Sequence, residues 1–273
     1  MGTLYLVATP IGNLEDITLR ALRVLRECDA VATEDTRSTG RLLAHFGIRK
    51  PLISYFEHNK LKRLDQLLET LRLGSVALVS EAGTPVLSDP GYELVCAALE
   101  HDIAVVPIPG PSSLVAALSV SGLPTDRFLF VGFLSRRAAE RRQQLVELAD
   151  ERATLIMFEA PHRLLATLTD LVATFGGERR CAVCRELTKL HEEVWRGTLA
   201  GACAEWKARE PRGEFTLVVA GAAPRERWSR DEVCIALAEL LAGGMSHSEA
   251  ARQVAQRSGW SKSTVYALRS PRE

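Results

Sequence analysis

The stretch Leu78-Val-Ser-Glu-Ala-Gly-Thr-Pro-Val-Leu-Ser-Asp-Pro-Gly91 limits the folds open to this chain more than any other. Val76 to Ser80 is apolar and β-branched, the composition of a buried strand. Gly83, Thr84, Pro85, Asp89 and Pro90 then crowd into one loop and stop regular structure. A helix is predicted from Gly91 on, where Tyr92, Val95 and Leu99 recur at helical spacing. Strand, stiff loop and helix in that order place the loop at the carboxyl end of a strand, the edge at which open α/β sheets bind ligands. Pro107-Ile-Pro-Gly-Pro-Ser-Ser113 repeats the pattern, between a strand at Ile103 to Val106 and a helix carrying Leu114, Ala117 and Leu118. Either loop alone is explained by an ordinary turn, but two side by side point to one shared pocket.

The β-α alternation recurs about five times up to Leu123, the signature of a mainly parallel sheet. Leu4 to Ala8 opens it, followed by the turn Thr9-Pro-Ile-Gly-Asn-Leu14, with Asp16 or Thr18 as the cap of the next helix. A dinucleotide fingerprint requires G-x-G-x-x-G at this point, and Gly12 stands alone. Ala30 to Thr33 ends in Glu34-Asp-Thr-Arg37, where helix capping by Asp35 or Ser38 and a functional role are equally compatible with the residues. From Ala153 the pattern changes: strand Thr154 to Phe158, helix Arg163 to Phe175, two strands in direct succession at Cys181 to Leu187 and Glu192 to Gly197, helix Leu199 to Ala208 and strand Phe215 to Ala220, which predicts an antiparallel α+β part. The chain is thus expected to divide into an α/β domain over residues 1–122, an α+β domain over 123–222 and a helical module over 229–273, after a linker from Ala222 to Trp228. In the module, the helices Asp231 to Leu241, Ser248 to Arg257 and Ser263 to Arg269 have helix-turn-helix proportions, and Arg252, Arg257, Lys262 and Arg269 suit nucleic acid as well as plain solvation.

Charge decides little: 34 basic side chains balance 34 acidic ones, so any nucleic-acid contact must come from a local patch. Arg136, Arg137, Arg141 and Arg142 are one, either a phosphate-binding patch or a solvated helix face. The six cysteines lie in apolar segments, as in a reduced cytoplasmic protein, and Cys181-Ala-Val-Cys184 lacks the second pair that a zinc site needs. No metal is therefore expected. The uncharged run Ile103 to Thr125 is interrupted by prolines and glycine and does not read as a membrane span, and Met1-Gly-Thr-Leu-Tyr-Leu-Val lacks the basic start of a signal peptide.

In order along the chain, Thr9 to Leu14, Glu34 to Arg37, Ser80 to Pro85, Asp89 to Gly91, Pro107 to Pro111, Gly132 to Leu134, His162 to Leu164 and Arg185-Glu-Leu-Thr-Lys189 together resemble the blocks of the ribosomal RNA small subunit methyltransferase I family, a branch of the tetrapyrrole methylase superfamily. Glu81 stands where that family usually has Asp, and Ala8 where Pro is frequent. The resemblance implies a two-domain tetrapyrrole-methylase-like α/β fold with a small helical extension. It implies S-adenosylmethionine as methyl donor, the ribose 2'-hydroxyl of a cytidine in the 16S rRNA decoding region as acceptor, and a homodimer. It assigns Pro10, Gly83, Thr84, Leu87, Ser112 and Ser113 to the donor from the first domain, and Phe158, Leu187 and Thr216 from the second.

A ribose hydroxyl is a poor nucleophile until its proton leaves, so a base or a cation beside the developing oxyanion is expected. The residues offer Asp35 or Glu34 as base and Lys189 or Arg37 as cation, with Lys189 as an alternative base if burial lowers its pKa. Two other functions fit parts of the chain: methylation of a small tetrapyrrole, which leaves the arginine run unused, and ligand-regulated DNA binding through the terminal helices.

Overall fold

Leu78 and its neighbours Ala77 and Val79 project to opposite sides of a strand, and all three are apolar, so each face must be covered by another layer. The computed structural model, which describes residues 2–223 and 228–268, shows those layers. Strands β1 (Thr3–Val7), β2 (Ala30–Thr33), β3 (Leu52–Ser54), β4 (Val76–Val79) and β5 (Ala104–Ile108) form a parallel sheet in the order β3-β2-β4-β1-β5. Helices α1 (Leu19–Glu27) and α2 (Thr36–His45) cover the face bearing Val7, Val31, Ala77 and Val79. On the other face α3 (Lys60–Leu73) and α4 (Tyr92–Glu100) pack against Leu4, Ala32 and Leu78. Thr18 caps α1 by accepting from the Ala21 N–H at 3.0 Å.

Two details differ from the sequence reading. Pro107 lies inside β5 rather than after it, because β5 is an edge strand, where a residue without an N–H is tolerated. Helix α4 starts where expected but buries Leu94, Ala97 and Ala98, leaving Tyr92 and Leu99 exposed. Its sequence is apolar nearly all round, so spacing alone admits more than one stripe.

The second sheet holds β6 (Phe128–Phe133), β7 (Thr154–Glu159), β8 (Arg180–Arg185), β9 (Glu193–Thr198) and β10 (Phe215–Val219) in the order β6-β7-β10-β8-β9. Every neighbouring pair is antiparallel except β6 and β7. Helices α6 (Ala138–Leu148), α7 (Leu164–Phe175) and α8 (Leu199–Lys207) bury one face. The opposite face receives Ala117 and Leu118 of α5 (Ser113–Ser121), the helix that follows the last parallel strand. One helix thus ties the two sheets, and residues 1–222 form one compact unit.

Residues 223–273 form a second unit. Its helices α9 (Arg230–Ala242), α10 (His247–Ser258) and α11 (Lys262–Tyr266) pack around Val233, Leu237, Ala250, Val254 and Val265. Gly259, at φ 71°, makes the turn between α10 and α11. Arg252 pairs with Glu249, Arg257 lies over the Trp228 ring at 5.3 Å, and Arg269 falls outside the described residues. No described helix is long and apolar enough to cross a membrane.

Candidate functional site

Strands β4, β1 and β5 are neighbours, so the loops that leave their carboxyl ends lie side by side. Thr9 and Gly83 exchange backbone hydrogen bonds of 2.9 and 3.0 Å, and the Thr84 hydroxyl donates to the Pro111 carbonyl at 3.2 Å. Gly83 sits at φ 84°, a conformation that side chains disfavour, and a Cβ there would also meet Ile11 Cγ2 at 3.3 Å. The two Gly/Pro loops read from the sequence are therefore one bonded wall.

Opposite this wall the second sheet supplies a floor. Backbone register aligns Phe133, Phe158, Thr216 and Cys184 in a single row across β6, β7, β10 and β8. Between wall and floor lies a cavity of about 540 Å³, well inside the size range of small-molecule sites. It is lined by all nine of Pro10, Gly83, Thr84, Leu87, Ser112, Ser113, Phe158, Leu187 and Thr216.

Lys189 closes one side. The Gly12 position has room only for hydrogen, since a Cβ there would lie 2.3 Å from Lys189 Cγ. The Asn13 N–H donates to Thr188 Oγ1 at 3.1 Å, joining the loop after β1 to the segment after β8. Lys189 Nζ donates to Glu186 at 2.8 Å and to Glu214 at 3.0 Å. Burial pulls the Lys189 pKa down, but these two carboxylates outweigh it and the net shift is upward. Lys189 therefore lines the cavity as an ammonium held by two carboxylates.

Glu81 lines the cavity, whereas Glu34, Asp35, Arg37 and the four arginines of the 136–142 run do not. Asp35 caps α2, accepting from the backbone N–H groups of Arg37 at 2.8 Å and Ser38 at 3.4 Å, and the Arg37 N–H above all holds its pKa below the usual carboxylate value. Arg37 is almost wholly exposed, 3.6 Å from Asp35. Glu34 is exposed, its carboxyl raised by loss of solvation and then by Glu81, Glu57 and Asp35. Arg141 leaves the arginine patch altogether: it is buried, its Nη2 2.7 Å from Asp170, while Arg136, Arg137 and Arg142 remain exposed.

Asp89 is a cavity carboxylate that the charged-residue reading passed over, beside Glu81, Glu159 and Glu214, which also line the cavity. Burial first, and the charges of Glu34 and Glu81 after it, push its pKa up to about 6 against a hydrogen bond from Ser80. It sits between Ser88, at φ 65°, and Gly91, at φ 150°, in a loop where Val86 also has a positive φ. Backbone of this kind persists only where surrounding structure holds it, and it clusters at ligand sites. Phe130 and Phe133 line the cavity as well. Their sequence signal is Gly132, a glycine inside a strand, which marks a bulge. Cys181 and Cys184 lie on opposite faces of β8, in separate apolar clusters, and burial raises their thiols to about 12 and about 11. Among the described residues, no group of three or more His, Cys, Asp or Glu is placed to hold a metal ion.

A family profile described as Tetrapyrrole (Corrin/Porphyrin) Methylases matches residues 3–203. The chain is 53% identical over 271 residues to Ribosomal RNA small subunit methyltransferase I of Synechocystis sp., covering 98% of this chain and 97% of that one. A protein of the same name from Halalkalibacterium halodurans is 50% identical over 275 residues, with 98% and 94% covered. Among solved structures, uroporphyrin-III C-methyltransferase of Thermus thermophilus, complexed with S-adenosylhomocysteine, aligns with TM-score 0.56 at 24% identity over 80% of this chain and 97% of that one. Diphthine synthase aligns with TM-score 0.62 at 18% identity, over 81% and 90%. At such identities these structures speak for the fold alone.

Proposed function

Because the chain belongs to the tetrapyrrole methylase family, with curated relatives about half identical in its small-subunit ribosomal RNA branch, we propose that it transfers a methyl group from S-adenosylmethionine to the ribose 2'-hydroxyl of a cytidine in 16S rRNA. The observation that supports this reading best is the convergence on one cavity of nine residues that lie as far apart in sequence as Pro10 and Thr216. The cavity wall fits the donor in kind: exposed backbone and the hydroxyls of Thr84, Ser112 and Ser113 suit its polar ends, and Leu87, Phe158 and Leu187 suit its apolar surface. Those side chains, with Pro10, Gly83 and Thr216, are the ones that would hold it. Bound there, the sulfonium supplies an electrophilic methyl group and departs as a neutral thioether.

The protein's remaining tasks are alignment and proton handling. The backbone-bonded wall aligns, since its loops are already fixed to each other and lose little freedom on binding. In this reading Asp89 takes the hydroxyl proton, being a cavity carboxylate whose charge is disfavoured by loss of solvation and by Glu34 and Glu81. Lys189 supplies positive charge to the oxygen as it loses its proton. The exposed Arg136, Arg137 and Arg142 receive phosphates of the RNA. The reading carries with it a cytoplasmic homodimer.

Ribose-methylation mapping of small-subunit RNA tests it. Cells lacking the gene are expected to miss one cytidine mark, restored in isolated subunits by the purified protein and S-adenosylmethionine. Intact marks in those cells, with turnover of a porphyrinoid by the protein, would instead support the tetrapyrrole alternative.

A further inference from the structure

Residues three apart in a regular strand point to opposite faces, so Phe130 and Phe133 should not share one. In β6 they do. The register to β7 pairs Phe130 with Ile156 and Gly132 with Met157, so Val131 is an extra residue and the strand bulges. Gly132 takes φ 72°, and a Cβ there would stand 3.2 Å from the Ser88 hydroxyl of the opposing loop. The bulge turns Phe133 onto the cavity side, where its ring meets Phe158 edge-to-face at 5.5 Å and Phe130 meets the same ring at 5.0 Å.

Exposure rises along the registered row that floors the cavity, from Cys184 at 1% and Thr216 at 5% through half-buried Phe158 to Phe133 at 54%. Phe158 and Thr216 are assigned to the methyl donor, so the donor occupies the enclosed end and Phe133 stands at the mouth. An aromatic ring seated edge-on against Phe158, itself backed by Phe130, yet half open to water beside a cavity, is a platform for a flat ligand.

Resting on the reading of an RNA ribose methyltransferase, we infer that Phe133 is the stacking platform for the nucleobase of the nucleotide being methylated. A ribose inside a helix stack cannot bring its 2'-oxygen into a cavity between two sheets, so the nucleotide must be splayed out, and a splayed base finds its partner in an aromatic side chain. The β6 bulge is then the device that aims this ring, and Gly132 supplies the positive φ the bulge takes, close against Ser88.

The test uses the full-length protein with three probes: small ribosomal subunits for kinetics, a single-stranded RNA carrying pyrrolo-cytidine for fluorescence quenching, and S-adenosylhomocysteine for calorimetry. F133A is expected to raise KM for subunits and weaken RNA binding by roughly 5- to 100-fold, the worth of one base–aromatic stack. Quenching should vanish in F133A and F133L and persist in F133W, while S-adenosylhomocysteine affinity stays unchanged in all three. RNA affinity and quenching equal to wild type in F133A would overturn the platform while wild-type methylation leaves the functional reading standing. Loss of S-adenosylhomocysteine affinity with RNA binding intact would assign the ring to the donor. A wild-type protein that neither binds nor methylates small-subunit RNA would overturn the functional reading, and the platform with it.

Discussion

The loops after β2 and β4 leave adjacent strands of one sheet, both carry carboxylates, and they use them in opposite ways. After β2, Asp35 caps α2, is ringed by backbone donors and is held more acidic than usual. After β4, α4 begins at Gly91 without a side-chain cap, so Asp89 is not needed to start a helix. It lies instead against the cavity, half-buried near Glu34 and Glu81, with its pKa raised by loss of solvation first. A satisfied carboxylate keeps its charge and shapes the chain; a frustrated one is poised to exchange a proton near neutral pH.

The largest effect that separates the two loops concerns turnover. D89N should lower kcat by roughly 10²- to 10⁴-fold, the usual worth of a positioned general base, while S-adenosylhomocysteine affinity by calorimetry holds. D35A should leave kcat for small subunits near wild type, and a comparable collapse there would return the base to the loop after β2. Next, K189M should cost roughly 10²-fold in kcat, as loss of one oxyanion-stabilising group does, with the pH profile unshifted because Lys189 is already a cation.

Stability supplies a smaller contrast of opposite sign. Asp89 has a raised pKa, so its favourable contribution is complete below the ordinary carboxylate range and is lost as pH rises through about 6. D89N should therefore unfold at higher denaturant concentration than wild type at pH 8, by on the order of 1–3 kcal/mol, with the gain gone at pH 4. Asp35 has a lowered pKa, so it stabilises above the ordinary range and that support disappears on acidification. D35A should lower the thermal midpoint at pH 8 by a few degrees and converge on wild type in acid. The same sign for both variants would erase the distinction between the loops.

This distinction marks where sequence reading ends. Local composition sufficed for the β-α alternation and for the Gly/Pro loops, because strands and turns are short-range objects, whereas the nine residues expected around the donor came from the family resemblance. Glu34 and Asp35 stand out in the sequence because both acids follow a strand directly, whereas the place of Asp89 against the cavity depends on the fold. Arg141 was grouped with its exposed neighbours because its partner, Asp170, comes from a different helix. The β6 bulge left a single trace, Gly132, and its consequence for Phe133 depends on register with β7. For α4 the stripe was misjudged because too many of its positions are apolar.

The central claim, that Asp89 and not the loop after β2 handles the proton in this cavity, is tested most directly by single-turnover methylation of small subunits as a function of pH. The wild-type rate should climb about tenfold per pH unit and level off above about 6, and D89N should be slow with no such limb. A D89N protein that reproduces the wild-type rate and pH profile would contradict the account.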